Sequence, residues 1–494
     1  MRVNNLQNSV IGKLVSDSAL YGIANIINQG FRFLFIPILT YNVSPDQLGA
    51  YDAARNLIVF GVPLISLGME SAVGILMNQP GNSIQKQRAA SSGMVLVMSQ
   101  SLLALVLLSF SADKLYTLLM DRTGPREVLW LAIAACVLAA PTAYARNLLK
   151  WQFRRKVFSA LLIGEAVVVF LTGSIAVIVL QAGVIGWMVA IILASSTTLL
   201  IALLANANYW QWPELRRFAP SLWNLGFPIA LVSLSAALTP IATRTVLVHL
   251  AGLAEVGVFG VAERVAMIGG LIVTGFTMAW GPFYLSKAHE AGAGRLYGRV
   301  ALYYLVAVCW IGLAIILFGK WLVALMAPAA YASAQDSLFP LVASKMLLGL
   351  NYIVMAGIYV RKKTYHLIWI HLVSSAAAVA FSVALVPDYG GQGAAWSAFL
   401  ANLLGLGLAL WTSQRLYPIE YDLSRLGRLA LCLGLSIGLE LWVTRLGGFW
   451  GQLVGSFATL SMFVLLCIVL RVLDWHSLYS PTRGVHRDRE VEWT

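Results

Sequence analysis

Between residues 18 and 471 long apolar runs follow one another, each closed by a short cluster of charged residues, Gly or Pro. A run of about 20 apolar residues matches a hydrocarbon layer about 30 Å thick. Such runs fall near 18–40, 47–70, 91–111, 127–146, 157–180, 184–205, 221–246, 255–279, 299–319, 338–360, 364–386, 393–413, 429–446 and 453–471, about fourteen in all. Lipid offers the backbone no hydrogen-bond partner, so every run is predicted to be an α-helix. No connection exceeds about 20 residues, which is too short for an ordinary extramembrane domain. Pro37, Pro63, Pro141, Pro228 and Pro240 lie inside runs and predict kinks.

The pattern also repeats. Arg154-Arg155-Lys156, an apolar run and Gly186 return about 207 residues later as Arg361-Lys362-Lys363 and Gly393. Gly49-Ala50-Tyr51 with Ala54 is matched at nearly the same offset by Gly257-Val258-Phe259 with Ala262. The predicted plan is all-α and polytopic. Two pseudo-symmetric six-helix bundles occupy 1–213 and 214–420, followed by an extra helix pair at 421–472 and a cytoplasmic tail at 473–494. A duplicated set of membrane helices points to a transporter, with its site near the bilayer midplane between the halves.

Composition sharpens this picture. Only 11% of the 494 residues are charged and 59% are hydrophobic, whereas globular domains carry roughly 25% charged residues, so a soluble protein is excluded. The net charge of +13 would suit nucleic acid, but its placement argues against that partner. Roughly 24 Lys and Arg residues fall in alternate loops or tails, and the opposite loops hold about 5, including Lys114, Arg122 and Lys320. That bias predicts cytoplasmic termini and contact with anionic membrane lipids. Residues 1–16 are polar and suggest no cleavable signal. Cys136, Cys309, Cys432 and Cys467 all sit in apolar runs, so packing is expected rather than disulfides or zinc.

Enzyme motifs fail. Gly434-Leu435-Ser436-Ile437-Gly438 fits the nucleophile-elbow spacing, yet it lies within an apolar span rather than on a strand-to-helix turn. His366 and His371 lack metal-ligand spacing. No cofactor and no metal are expected.

The informative residues are charges within spans: Arg32, Arg55, Arg244, Arg264 and Lys345. Each costs about 2.5–3.5 kcal/mol at a helix centre unless it finds a partner, water or a use. Counting 1.5 Å per residue puts Arg32, Arg55 and Arg264 at one level, about 12–13 Å inside the outer boundary. Lys345 lies near 10 Å and Arg244 nearer the edge, at about 3 Å. Guanidinium forks at one depth suit a phosphate or diphosphate anion. Ser18, Tyr21, Asn25, Asn28, Gln29 and Arg32 form one polar stripe, and Asp52, Arg55 and Asn56 share another face. The competing reading is internal pairing: Asp52 with Arg55, Glu263 with Arg264 or Arg244, Glu165 with a basic loop. Asp52, Glu165 and Glu263 are candidates for ion coupling or for such pairing.

The motifs Ser18-Ala19-Leu20-Tyr21-Gly22-Ile23-Ala24-Asn25, Pro37-Ile38-Leu39-Thr40, Ser44-Pro45, Leu48-Gly49-Ala50-Tyr51 and Leu67-Gly68-Met69-Glu70-Ser71-Ala72 carry a likeness. So do Glu255-Val256-Gly257-Val258-Phe259, Gly183-Val184-Ile185-Gly186 and Gly390-Gly391-Gln392-Gly393. Together they resemble polysaccharide-transporter proteins, the O-antigen and exopolysaccharide flippase branch of the multidrug/oligosaccharidyl-lipid/polysaccharide exporter superfamily. The resemblance implies two six-helix bundles around a cavity that opens alternately to either side. Related murein-precursor flippases line that cavity with arginines on the first, second and eighth helices, where Arg32, Arg55 and Arg264 fall here.

Resemblance and charges together imply a non-enzymatic flippase in the bacterial inner membrane. Its substrate would be an oligosaccharide linked to undecaprenyl diphosphate, destined for O-antigen or exopolysaccharide. Arg32, Arg55, Arg264, Arg244, Lys345, Asn25, Asn28 and Gln29 are the expected substrate-binding residues. A polysaccharide polymerase and chain-length proteins are possible partners, and one chain suffices for the architecture. The alternatives are a cation-coupled multidrug exporter of the same superfamily, or a membrane enzyme or subunit of polysaccharide assembly.

Overall fold

The computed structural model describes residues 22–31, 33–288, 290, 292–443 and 448–472. Among them there is helix but no strand. Among the described residues eleven helical segments are long and apolar enough to cross a membrane. The first six are α1 (Gly22–Asn42), α2 (Pro45–Ser66), α4 (Ser83–Phe110), α6 (Arg126–Trp151), α7 (Arg155–Ser174) with its π-helical extension Ile175–Val179, and α8 (Gly183–Ala205). Between them lie the short helices α3 (Met69–Asn78) and α5 (Ala112–Met120). The chain continues through α9 (Leu215–Lys287), α10 (Ala293–Leu317), α11 (Gly319–Met326), a 3-10 turn at Ala329–Ser337, α12 (Leu338–Val354) and α13 (Ala356–Val360). It closes with α14 (Tyr365–Leu416), α15 (Leu423–Val443) and α16 (Phe449–Val469).

The count of eleven differs from the fourteen spans of the sequence reading, and two doubled segments account for two of the three. Leu215–Gly270 and Tyr365–Leu416 run 56 and 52 residues, more than twice what one crossing needs. Each is broken at a single glycine, Gly252 (φ 86°, ψ 173°) and Gly390 (φ 51°, ψ −129°). The apolar runs of the sequence end near 246 and 386 and resume near 255 and 393, so a longer connection is expected at both places. The chain instead turns on one residue without a Cβ, for which positive φ carries no steric cost. Prolines mark smaller events: Pro63 and Pro141 sit inside continuous helices.

The chain divides into two compact units, Met1–Ala291 with Ile315–Pro418, and Gly292–Ala314 with Ile419–Thr494. The larger holds a core in which Ile65, Met69, Tyr144, Leu148, Leu149 and Leu222 pack together. Tyr144 is fully buried there and donates its hydroxyl to the Ala90 carbonyl at 2.8 Å, so the core encloses no orphaned donor at that point. The repeated basic motifs have equivalent structural roles. Arg154 donates to the Ala205 carbonyl at the end of α8, and Arg361 donates to the Leu416 carbonyl at the end of α14, at 3.0 Å. A cation at a helix C-terminus meets carbonyls that have no partner within the helix.

In the smaller unit α15 packs on α16, and Arg428 donates to the Leu470 carbonyl at 3.0 Å. Ser436, the centre of the nucleophile-like motif, is buried and donates to the Cys432 carbonyl at 2.8 Å. That hydroxyl satisfies the backbone of its own helix, as packing serines in apolar helices do.

Candidate functional site

The site begins at the N-terminus of α2. Ser44 caps it and Gln47 returns the bond, a reciprocal capping box, with Pro45 pre-set for the first turn. One turn on, Gly49 meets the second arm of α9 (residues 253–287). A Cβ on Gly49 would lie 1.8 Å from the Leu253 carbonyl oxygen, and one on Gly257 would lie 2.1 Å from the Pro45 carbonyl oxygen. The two echo glycines therefore face each other and bring two backbones into contact, as small residues do between membrane helices. Where the helices meet, the α2 positions 52, 55 and 56 confront α9.

Asp52 is fully buried and takes Arg264 in a forked pair, with oxygen–nitrogen distances of 2.5 and 2.9 Å. Gly260 makes room for it: a Cβ there would lie 1.9 Å from Asp52 Oδ2. The guanidinium also lies 5.9 Å from the centre of the Tyr51 ring. A second cluster lies alongside. Glu263 pairs with Arg244 through one oxygen and accepts from Lys345 Nζ at 3.1 Å through the other. Arg244 also donates to Asn56 Oδ1 at 2.9 Å, which ties this cluster back to α2.

Spacing along the chain had suggested Asp52 with Arg55. The structure instead gives Asp52 to Arg264, 212 residues away; Glu263 takes Arg244, one of its two expected partners, and adds Lys345. Arg55 makes no hydrogen bond or ion pair with any described residue, though it lies within electrostatic reach of Glu263. Four embedded cations (Arg55, Arg244, Arg264, Lys345) thus share two carboxylates, Asp52 and Glu263. Glu165 adds nothing to either total, because Arg146 pairs with it and Ser195 donates to it at 3.3 Å. Arg146 reaches it from within α6 rather than from a loop.

Two cavities flank these clusters. The first, about 580 Å³, is lined by Asn25, Asn28, Gln29, Arg55, Glu165 and Arg264, against an aromatic wall that includes Phe35, Phe170 and Trp187. Asn28 also donates to the Leu162 carbonyl at 3.2 Å. The second, about 440 Å³, takes Arg244, Glu263 and Lys345. Arg32, expected on the same level as Arg55, lies outside the described residues. The predicted residues are therefore divided between two chambers, where a single ring facing one cavity was expected. Sequence reasoning passed over Asn351, Ser374 and Asn402, which also line the second cavity together with His371, a residue considered there only against a metal role. Their signal was faint: isolated polar residues in otherwise apolar runs, with Ser344-Lys345 and Asn351 about two turns apart on one helix.

In this arrangement the cavities have the chemistry of an anion site. Among the described residues guanidinium and ammonium groups exceed carboxylates at these clusters, and one guanidinium, that of Arg55, makes no hydrogen bond or ion pair. A family model described as "Polysaccharide biosynthesis protein" matches residues 14–289, more than half of the chain. The fold is similar to that of the lipid II flippase MurJ in an inward closed conformation, with a TM-score of 0.74 at 14% identity, over 92% of this chain and 99% of that one. It is also similar to a multidrug resistance MATE family transporter of the MOP superfamily in an inward-facing conformation (TM-score 0.61, 16% identity, 78% of this chain and 94% of that one). A MOP superfamily transporter from Pyrococcus furiosus gives a TM-score of 0.60 at 14% identity, over 81% and 95%. At these identities the likeness establishes a shared fold. A comparison with curated proteins gives no sequence match.

Proposed function

This chain belongs to the polysaccharide biosynthesis protein family, and from that premise we propose that it is a flippase for a polyprenyl-diphosphate-linked oligosaccharide. The diphosphate sits at Arg55 and Arg264 in the first cavity. The polyprenyl tail stays in lipid while the halves 1–213 and 214–420 rock about the α2–α9 contact by alternating access. The membrane is the bacterial inner membrane, both termini are cytoplasmic, and the product feeds O-antigen or exopolysaccharide assembly. A polymerase and chain-length proteins act on what it delivers. No bond is made or broken, so the chain needs neither a cofactor nor a catalytic residue.

One observation carries this reading: Arg55 lines a cavity of about 580 Å³ with no described residue pairing it. An embedded cation without a partner is costly, and a chain that keeps one has a use for it. A diphosphate provides the bidentate acceptor that a guanidinium fork prefers. The same excess of cations disfavours the rival reading, export of cationic drugs, because like charges repel in a low-dielectric chamber.

The test is genetic and chemical. In cells lacking the chain, lipid-linked oligosaccharide should accumulate on the cytoplasmic leaflet and surface polymer should disappear. Wild type should restore both, and Arg55→Ala should restore neither although it reaches the membrane in equal amount. An unchanged pool with normal surface polymer would overturn the proposal and turn attention to drug export.

A further inference from the structure

We infer that the second cavity is a glycan pocket for an acidic sugar, a hexuronate residue of the translocated oligosaccharide, whose carboxylate is received by Lys345 and Arg244 beside Glu263. The inference rests on the flippase reading and adds to it the class of sugar.

The two cavities differ in what they offer a ligand. Phe35 and Trp187 stack with ring centres 3.3 Å apart in the wall of the first, and Phe35 meets Phe170 edge-on at 6.4 Å. The second adds to its apolar lining a larger set of hydroxyls and amides, among them Ser233, Thr239, Ser344, Asn351, Ser374 and Asn402, contributed by α9, α12 and α14. Some of these already have partners: Asn402 donates to Ser344 at 2.7 Å, and Thr239 bonds Ser375 behind the wall at 2.8 Å. Asn351 is different. It is only 8% exposed, yet its Oδ1 has no hydrogen-bond partner. A buried acceptor left unmet carries a desolvation penalty, which a ligand hydroxyl would relieve. Sugar rings are rich in such donors. At about 440 Å³ the chamber falls within the usual 300–1,000 Å³ of small-ligand sites.

Charge then selects among sugars. Glu263 is shared by Arg244 and Lys345, so two cations face one carboxylate and a single positive charge is left over. A neutral glycan leaves that charge unmet. A phosphate, which carries nearly two negative charges at neutral pH, would exceed it. One carboxylate balances it, and Lys345, the more exposed of the two cations, can turn from Glu263 to the newcomer. Its side chain is 24% exposed, against 8% for Arg244.

The experiment uses the full chain purified into lipid nanodiscs and two synthetic polyprenyl diphosphate disaccharides, identical except that one ends in glucose and the other in glucuronate. Dissociation constants should favour the glucuronate by about ten- to a hundredfold, the usual value of a charge-assisted hydrogen bond. Lys345→Met leaves Glu263 paired with Arg244, and in that variant the ratio of the two affinities should collapse toward one. Lys345→Arg should keep the preference. Asn351→Leu should weaken both disaccharides together. Equal binding of both by wild type, or a preference that survives Lys345→Met, overturns the acidic-sugar pocket while leaving the flippase reading standing. Binding of neither would remove both.

Discussion

α2 and the second arm of α9 are the same helix used twice. A shift of 208 residues lays Gly49 on Gly257, Tyr51 on Phe259 and Ala54 on Ala262, and the two helices touch through the matched glycines. The polar positions do not match. Asp52 falls on Gly260, Arg55 on Glu263 and Asn56 on Arg264. Duplication thus supplied a close-packed seam, and divergence filled its flanks with complementary charges. Asp52 of one copy takes Arg264 of the other, and the position where the second copy would repeat Asp52 is a glycine that makes room for the first. The small and apolar positions maintain the contact; the polar ones make the two sides unequal.

The strongest way to break the seam is to orphan its buried pair. Asp52→Ala would leave Arg264 charged and largely enclosed, and removing one partner of a buried pair costs about 3–5 kcal/mol. Thermal melting of the purified protein should fall accordingly. The double substitution Asp52→Leu with Arg264→Met should recover much of the loss, because well-packed apolar groups often replace a buried pair without penalty. If the double variant melts no higher than the single one, the two residues are not energetically coupled.

Steric closure comes next. Gly257→Ala places a methyl 2.1 Å from the Pro45 carbonyl oxygen, so the helices must separate. Overpacking of this kind costs about 1–3 kcal/mol. Gly270→Ala lies on the same arm of α9 with open space where its Cβ would stand, and should leave stability unchanged or raise it by up to about 1 kcal/mol. Because Ala is the better helix former, propensity alone would raise stability at both positions, so similar losses at both glycines would mean that the α2–α9 contact does not set the effect.

Much of this was legible in the chain. The apolar runs mark the helices because lipid permits little else, and the glycine echo marks the pair of helices that touch. Two things were hidden. One was partner choice: Asp52 has Arg55 three residues away, on its own helix face, and only the fold brings Arg264 closer. The other was how the two longest helices break. Gly252 interrupts α9 within hydrophobic sequence and Gly390 interrupts α14 within the polar stretch Pro387-Asp388-Tyr389-Gly390-Gly391-Gln392, each without ending the helical run for more than one residue, and Glu255 accepts from the Gly391 N–H at 2.8 Å to stabilise the second break. Neither glycine differs in type from many glycines that sit inside unbroken helix. The division into two cavities escaped notice for the same reason as the pairings, since depth along a helix says nothing of the direction in which a side chain is turned.

The smallest expected change in stability belongs to the residue with the largest expected effect on transport. Arg55 shares α2 with Asp52, lies one turn further on and is only partly buried. Asp52 is spent on the seam, whereas Arg55 spans a cavity and satisfies no described group. Arg55→Ala therefore removes a charge without orphaning another, and melting should move by about 0.5 kcal/mol or less. It should also ease the electrostatic cost of four cations sharing two carboxylates, so a small gain in stability is as consistent as a small loss. Transport should nonetheless fail, because among the described cations of the first cavity the Arg55 guanidinium is the one that a diphosphate need not win from a paired carboxylate. Measured side by side, Asp52→Ala and Arg55→Ala separate the two uses of charge on one helix. A melting loss for Arg55→Ala as deep as that for Asp52→Ala would make Arg55 a structural cation and remove the strongest reason for placing an anion beside it.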